Sequence, residues 1–236
     1  MEIRLMSFNT QHCLNYLQQK IDFDIMANAI KACGADIIGL NEMRDKGQAE
    51  DYEPQTEILA NKLGYYHYFA KAIDFAGVNP YGNALISKYP ILWAEVILIP
   101  EPKVRGYKGY YEDRCLLKAT LDINGQKVVV MVIHFGLNPD EAENAVKAII
   151  ANLPESRVVL MGDFNLPPES ELLLPIREKL FDTAALFGCQ KFSYPSDAPN
   201  VKIDYIFTSS DITVEAADIP EIIASDHRPH TATIKI

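Results

Sequence analysis

Short apolar segments of strand length alternate along the chain with segments of helical periodicity. The apolar runs at residues 36–40 and 158–161 are typical of buried strands. Between strands, apolar residues recur at three-to-four spacing and predict an amphipathic helix over residues 20–33, which Gly34 ends. This alternation favours an α/β fold with helices packed against mixed β-sheets.

The same patterns predict further helices over residues 54–63, 138–153 and 169–180, and further strands over residues 3–9, 65–70, 83–87, 91–99, 113–122, 126–135, 203–209, 212–218 and 229–236. The helix at 54–63 lies between Pro54 and Gly64, as expected of a helix start and end. No internal repeat or low-complexity linker interrupts these elements. We therefore expect a single domain over residues 1–236.

Composition and charge exclude several classes of protein. A chain of 236 residues can bury a core without disulfides or a structural metal. Its 48% hydrophobic and 23% charged residues exclude disorder, collagen and coiled coil. The 22 Lys and Arg residues against 32 Asp and Glu residues give a net charge of −10, which argues against broad binding to duplex DNA.

The start of the chain and the spacing of the cysteines indicate the cellular location of the protein. Glu2 and Arg4 interrupt the apolar start of the chain, so no signal peptide is expected, and no window has the length of a membrane span. The four cysteines are isolated and show no CxxC spacing, which is typical of reduced thiols. We therefore expect a cytoplasmic protein that does not bind membranes.

Polar residues that can carry chemistry follow the ends of the apolar strands. In layered α/β folds, loops that leave strand ends form sites because the sheet fixes their position. Asp163 and Asn165 are two residues apart, so both side chains can point the same way from an extended segment. The residues in such positions are Asn9, Glu42, His134, Asp163, Asn165, Asp204, Asp226 and His227.

These residues belong to five short motifs, which occur in the order Ser7-Phe8-Asn9, Asn41-Glu42, Gly162-Asp163-Phe164-Asn165, Ile203-Asp204-Tyr205-Ile206-Phe207 and Ser225-Asp226-His227-Arg228-Pro229. In this order they resemble the endonuclease/exonuclease/phosphatase superfamily, the deoxyribonuclease I-like group of metal-dependent phosphoesterases. The similarity runs from residue 7 to residue 229. It implies an α/β fold that is a four-layered sandwich, with two mixed β-sheets face to face and helices outside.

The resemblance also implies a metal site. Mg²⁺ prefers oxygen ligands and is usually held by one or two carboxylates together with substrate phosphate. Glu42 and Asp226 are the expected carboxylates, and Asn9 is expected to add an amide oxygen or to bond the attacking water. Mg²⁺ is therefore the expected cofactor, with Mn²⁺ as a possible substitute.

The remaining motif residues suit hydrolysis of a phosphate ester, in which water attacks in line with the leaving oxygen. Asp204 and His227 are expected to form a carboxylate–imidazole pair. His227 is expected either to take the proton from water or to hold the phosphate as a cation, and Asp163 is the alternative base. Asn165 is expected to bond a phosphate oxygen or the water. His134 is expected to bind the phosphate and to assist the leaving group.

Two further positions match segments that the family has beside its site. Arg114 opens a strand, and a guanidinium can grip a phosphate with two hydrogen bonds. Asn83, in the segment Tyr81–Ser87, is the second predicted substrate-binding residue.

The sequence leaves the substrate open. A soluble phosphodiester or phosphomonoester is favoured, and a nuclease that acts on DNA or RNA is the alternative. The loop at 103–111 combines three cations with three tyrosines, which suits either a stacked base or sugar or a plain exposed connection. A non-catalytic binding module would have lost Glu42, Asp163, Asp226 or His227, and a zinc hydrolase would need a motif such as HExxH. We expect a monomer.

Overall fold

The structure, a computed structural model, describes residues 1–236. Its α-helices are α1 (Phe23–Cys33), α2 (Gln55–Leu63), α3 (Pro139–Asn152), α4 (Leu174–Arg177) and α5 (Thr183–Leu186). Its strands are β1 (Glu2–Asn9), β2 (Leu14–Asn15), β3 (Lys20–Ile21), β4 (Ile37–Arg44), β5 (Tyr66–Phe75), β6 (Asn79–Ser87), β7 (Ile91–Leu98), β8 (Cys115–Ile123), β9 (Gln126–His134), β10 (Val158–Asp163), β11 (Phe181–Asp182), β12 (Asp204–Thr208), β13 (Thr213–Asp218) and β14 (His230–Lys235).

Twelve of these strands form two six-stranded sheets. The first has the order β13-β14-β1-β4-β6-β5, and the second has the order β11-β12-β10-β9-β8-β7. Each sheet is mixed, because β1 pairs parallel with β4 and β9 pairs parallel with β10 while the other pairs are antiparallel. At the carboxyl ends of these parallel pairs, β1 ends at Asn9, β9 ends at His134 and β10 ends at Asp163. Glu42 lies near the end of β4.

The side chains of each strand alternate between two apolar layers, as the period of two requires. Ile3 and Leu5 of β1 pack between the sheets against Met161 of β10. Met6 and Phe8 of the same strand point to the other face and pack under helices α1 and α2. Helix α3 covers the outer face of the second sheet in the same way. The predicted four-layered α/β sandwich is confirmed.

The first helix begins later than the predicted residue 20. Residues Lys20–Ile21 pair with Leu14–Asn15 as a two-stranded ribbon. The carboxylate of Asp22 then accepts hydrogen bonds from the backbone N–H groups of Asp24 and Ile25, which caps the helix. The end at Gly34, which has a φ of 60°, is as predicted.

The helix predicted at 169–180 is wrong. The structure has a 3₁₀ turn at Glu171–Leu173 followed by the single turn α4. Pro175 has no N–H group to donate to the carbonyl of Glu171, and its ring crowds that carbonyl, so one continuous helix cannot run through this segment.

None of the helices is both long enough and apolar enough to cross a lipid bilayer.

Gly162, in β10, lies against the neighbouring strand at the point where the site begins. A Cβ atom there would lie 1.8 Å from the carbonyl oxygen of Ile133. We expect Gly162→Ala to lower the free energy of unfolding by about 3 kcal/mol or more, because the strands must separate to admit a methyl group. Urea denaturation measures this.

The matched control is Gly125→Ala in the β8–β9 hairpin. Gly125 also has a positive φ, of 86°, but no atom lies within 4 Å of the added carbon. Its cost is expected to be roughly 1 kcal/mol, from backbone strain alone. Equal losses in the two variants would show that β9 moves aside easily and would contradict the prediction.

His230, the first residue of β14, is fully buried. Burial, assisted by the nearby Lys202 ammonium, holds the pKa of His230 well below its ordinary value of 6.5. Below about pH 6.5 the unfolded chain therefore binds a proton that the folded chain does not, so stability is lost as the pH falls, by about 1.4 kcal/mol per pH unit from this group.

We expect His230→Gln to reduce this slope by about one proton between pH 6.5 and pH 5. Urea denaturation at a series of pH values measures the slope, and the same substitution at the exposed His67 controls for the chemistry of the replacement. A slope unchanged from that of the unmodified protein would show that folded His230 binds a proton in this range.

Candidate active site

An open cavity of about 420 Å³ lies where the carboxyl ends of the central strands of both sheets meet. Seven of the residues predicted from the sequence line it, namely Glu42, Arg114, His134, Asp163, Asn165, Asp226 and His227. Three others, Asn9, Asn83 and Asp204, are buried behind its wall. The structure thus brings together predicted residues from opposite ends of the chain.

The buried carboxamide of Asn41 joins the two sheets beneath this cavity. Its Nδ2 donates to the side-chain oxygen of Asn83 at 2.8 Å and to the carbonyl of Ile133 at 2.9 Å. Its Oδ1 accepts a hydrogen bond from the backbone N–H of Asp163 at 2.9 Å. Asn41 therefore fixes the start of the Asp163 segment on one sheet relative to Glu42 on the other.

An irregularity in β4 turns the side chain of Glu42 toward the cavity. The register of β4 with β6 shifts between Leu40 and Met43, and Glu42 has a φ of 59°. A bulge of this kind re-aims a side chain, and a left-handed backbone at a residue other than glycine is strained. The half-buried Glu42 carboxylate faces the cavity and accepts a 3.0 Å hydrogen bond from Nδ2 of Asn9.

The Asn9 side chain is oriented differently from the prediction that its amide oxygen binds a metal ion. Its Oδ1 accepts from the backbone N–H of Gln11 at 3.0 Å. Its Nδ2 donates at 3.0 Å to both Glu42 and Asp163, so one amide holds two carboxylates. In this arrangement Asn9 positions the carboxylates and does not present an oxygen to a metal.

The carboxylate of Asp163 is held at both oxygens. Oδ1 accepts from the backbone N–H of Asn165 at 2.9 Å, and Oδ2 accepts from Asn9. Burial raises the pKa of Asp163 to about 7, although the neighbouring His227 cation opposes the shift. The negative charge of Asp204 acts in the same direction as burial. Asp163 can therefore exchange a proton near neutral pH.

His227 and Asp204 form the predicted pair. Nδ1–H of His227 donates to Oδ2 of the fully buried Asp204 at 2.8 Å. Burial lowers the pKa of His227, but the attraction of Asp204 and Asp163 outweighs burial and raises that pKa to about 10. His227 is thus a cation at neutral pH, with Nε2 3.6 Å from Oδ2 of Asp163. Its ring packs against Tyr194, with centroids 4.8 Å apart.

His134 is paired with a cation, whereas His227 is paired with a carboxylate. Nη1 of Arg114 lies 3.0 Å from its Nδ1 and also 2.5 Å from Oε1 of Glu112. Burial, together with the positive charge of Arg114, lowers the pKa of His134 well below its ordinary value. His134 is therefore neutral, and its Nε2 lies 3.5 Å from Oδ2 of Asp163.

Asn165 is placed at the cavity wall, with a left-handed φ of 50°. Its Nδ2 donates to the carbonyl of Phe135 at 3.1 Å and lies 3.2 Å from Nε2 of His134. The backbone bond from Asn165 to Asp163 closes this turn, so the two side chains keep a fixed relation.

Asn83 does not reach the cavity, contrary to the predicted role in substrate binding. It is 2% exposed. Its Oδ1 accepts from Asn41, and its Nδ2 donates to the carbonyl of Cys115. Both ends of the amide are used inside the protein, so Asn83 supports Asn41 and is removed from the substrate-binding residues.

Two groups of side chains could hold a metal ion. The ligand atoms of Asp163, Asp204 and His227 all lie within 4.8 Å of one another. In this group, however, Nδ1–H of His227 is already hydrogen-bonded to Oδ2 of Asp204, so these two atoms bind each other and not an ion. Glu42 and Asp226 are half-buried carboxylates that line the open cavity, and this all-oxygen donor set fits Mg²⁺ or Mn²⁺.

Several lining residues were not predicted. Glu112 lies two residues before the predicted Arg114, and Tyr81 and Tyr110 lie in the segments Tyr81–Ser87 and 103–111, which the sequence indicated for other reasons. Leu137 and Tyr194 gave no sequence signal, because an isolated apolar residue in a loop looks the same at a cavity and elsewhere. Tyr110, Leu137 and Tyr194 are exposed and form an apolar rim around a polar floor.

Comparison with known proteins identifies the fold and the family. A model of the Endonuclease/Exonuclease/phosphatase family matches residues 6–227. Among curated proteins, protein cwh43 of Schizosaccharomyces pombe is 29% identical over 109 residues, which cover 46% of this chain. The matched segment spans 10% of the length of that protein.

Solved structures agree with the family match. The endonuclease/exonuclease/phosphatase from Beutenbergia cavernae aligns with a TM-score of 0.77 and 20% identity, covering 100% of this chain and 72% of the other. The human Nocturnin catalytic domain aligns with a TM-score of 0.77 and 19% identity, covering 99% of this chain and 93% of the other. With a family match that includes every motif from Asn9 to His227, the chain belongs to the Endonuclease/Exonuclease/phosphatase family of phosphoester hydrolases.

Proposed function

We propose that the protein is a Mg²⁺-dependent phosphoesterase that hydrolyses a soluble phosphodiester or phosphomonoester by in-line attack of an activated water. One observation carries this proposal: four groups line the same open cavity. They are two carboxylates that face the cavity, Glu42 and Asp226, the Asp163 carboxyl group with its raised pKa, and the cationic His227. Metal ligands, a base and an anion-binding group are the parts that such hydrolysis needs.

Glu42 and Asp226 are the residues that would hold the ion. Both line the cavity, and each has one carboxylate oxygen fixed by a neighbour, Asn9 for Glu42 and the hydroxyl of Ser225 for Asp226. A bound Mg²⁺ supplies positive charge that stabilises the charge developing on the phosphate oxygens.

Asp163 is the proposed general base. Its two oxygens are oriented by Asn9 and Asn165, and a carboxyl group with a pKa of about 7 is well matched to proton transfer near neutral pH. His227 has no free lone pair to accept a proton, since its Nδ1–H is bonded to Asp204 and its charged ring carries a second proton on Nε2.

His227 and Asn165 are the proposed phosphate-binding groups. The His227 cation lies at the cavity wall beside Asp163, where it can attract an anion that four nearby carboxylates would otherwise repel. Because Asp204 is buried behind the ring and keeps it charged, the anion is held by a preorganised group that needs no rearrangement.

The exposed rim favours a substrate that carries more than a bare phosphate. Tyr110 and Tyr194 stand beside the mouth and can pack against a sugar, a base or another flat group. A nuclease is the second candidate, because the loop that supplies Tyr110 also carries the exposed cations Lys103, Arg105 and Lys108. A cytoplasmic location remains part of the proposal, supported by four free cysteines, and a monomer remains an expectation.

Removal of the metal or of its proposed ligand tests the cofactor. We expect Mg²⁺- or Mn²⁺-dependent turnover that EDTA abolishes and added Mg²⁺ restores, and we expect Glu42→Gln to lower kcat by about a hundredfold or more because the charge that binds the ion is lost. Steady-state kinetics on a nitrophenyl phosphoester, then on abasic DNA, RNA, nucleotides, sugar phosphates and lipid head groups, measures both and ranks the substrates.

The matched control is Glu57→Gln, which makes the same change at an exposed position of helix α2 and is expected to leave kcat unchanged. Full turnover in EDTA would remove the metal from the proposal. Full turnover by Glu42→Gln with a persistent requirement for Mg²⁺ would move the metal to other ligands.

The Asp204–His227 pair is expected to act as a unit. Asp204→Asn and His227→Ala should each lower kcat by roughly a hundredfold, because each removes the fixed cation, and the double variant should lose little more than either single variant. Kinetic measurement of all four proteins, with folding checked by urea denaturation, gives the coupling. Losses that multiply would show that the two residues contribute independently.

A further inference from the structure

We propose that Glu112 and Arg114 are positioning residues that lock His134 as the neutral tautomer with its proton on Nε2, so that His134 donates a hydrogen bond to the substrate and transfers no proton. The role toward substrate rests on the proposed phosphoesterase function. The tautomer itself is a property of the free protein and stands apart from that function.

The tautomer follows from the chemistry of the guanidinium. Arg114 has N–H donors and no acceptor. Its Nη1 lies 3.0 Å from Nδ1 of His134, so that contact is a hydrogen bond only if Nδ1 carries a lone pair. A neutral imidazole with its lone pair on Nδ1 carries its proton on Nε2.

Glu112 keeps the guanidinium in this position. Its Oε1 lies 2.5 Å from Nη1 of Arg114, and the side chains are 10% and 11% exposed. Its backbone N–H is in turn held by Glu141 at 3.3 Å. An ion pair so well shielded from water has little freedom to separate, so Nη1 of Arg114 stays between Glu112 and Nδ1 of His134.

The surroundings also disfavour a charged His134. The ring is 4% exposed and lies between two cations, Arg114 on its Nδ1 side and His227 across the cavity. The one carboxylate that faces it, Asp163, is 3.5 Å from Nε2 and is already bonded to Asn9 and Asn165. Protonation of Nδ1 would also require the bond from Arg114 to break.

The Nε2–H group then points to the side of the cavity where Asp163 and Asn165 lie. Nδ2 of Asn165, 3.2 Å away, is a second donor and cannot bond a protonated Nε2, but it is satisfied by the carbonyl of Phe135. A substrate oxygen near Asp163 would thus meet a donor from His134, a cation from His227 and an amide from Asn165. This set binds an anion without a second titrating base.

Nuclear magnetic resonance of the uniformly ¹⁵N-labelled protein tests the tautomer directly. Long-range ¹H–¹⁵N correlation spectra distinguish a protonated from an unprotonated ring nitrogen, and the signals of His134 are assigned by their loss in His134→Gln. We expect Nε2 protonated and Nδ1 unprotonated from pH 7.5 down to pH 5.5. A protonated Nδ1, or a charged ring within this range, would overturn the inference.

Variants test the positioning role. Arg114→Met removes the donor to Nδ1, and we expect mixed tautomers and a ring that begins to titrate, whereas Arg114→Lys keeps a donor-only cation and is expected to restore much of the original spectrum. Glu112→Gln is expected to fall between them. Arg157→Met, at an exposed arginine, is the control for the substitution. A spectrum unchanged in Arg114→Met would show that another group sets the tautomer.

Kinetics distinguish a donor from a proton-transfer group. Gln keeps an N–H donor, so His134→Gln is expected to lose about tenfold in kcat/KM, and His134→Ala about a hundredfold. Equal losses would show that His134 transfers a proton and would overturn the inference even if the phosphoesterase proposal stands. If no phosphoester is turned over, the proposed function fails, and the spectra still decide the tautomer.

Discussion

The buried amide of Asn41 is the contact on which the rest of the site depends. It is fully buried and makes three hydrogen bonds, two to the second sheet, at Ile133 and Asp163, and one to Asn83 within its own sheet. Face-to-face sheets pack through apolar side chains that interdigitate and set the separation of the sheets. A saturated polar link at the strand ends fixes their relative position, because breaking it would leave several buried groups unpaired, at about 1–3 kcal/mol each.

Much of the fold and site could be predicted from the sequence, because strand ends carry the chemistry and the motifs occur in family order. What the sequence could not supply is which end of a polar side chain faces the cavity. Asn9 and Asn83 both lie next to the site, yet Asn9 turns its nitrogen to the carboxylates and Asn83 makes its hydrogen bonds inside the protein. Hydrogen bonds across distant segments decide this. The continuous helix predicted over residues 169–180 does not form for a local reason, because Pro175 interrupts the segment despite its helical spacing.

Part of the net charge of −10 comes from carboxylates that line the cavity. Glu42, Glu112, Asp163 and Asp226 all line it, so the acidic excess is partly concentrated where an anion must bind. The protein reduces this repulsion by pairing Glu112 with Arg114, by raising the pKa of Asp163 to about 7, and by placing the His227 cation at the cavity wall. The proposed cation, held by the remaining carboxylates Glu42 and Asp226, would complete the balance and make an acidic protein compatible with a phosphate substrate.

The strained residues show why the cavity can be both open and rigid. Glu42, near the end of β4, and Asn165, two residues beyond the end of β10, have left-handed φ values of 59° and 50°. Such conformations persist only when the surroundings determine them. Here Asn9 holds the Glu42 carboxylate, and the backbone N–H of Asn165 is bonded to Asp163. The sheets therefore fix the reacting groups through hydrogen bonds, and the loops around the mouth are left to shape the contact with substrate without disturbing the groups that act on the phosphate.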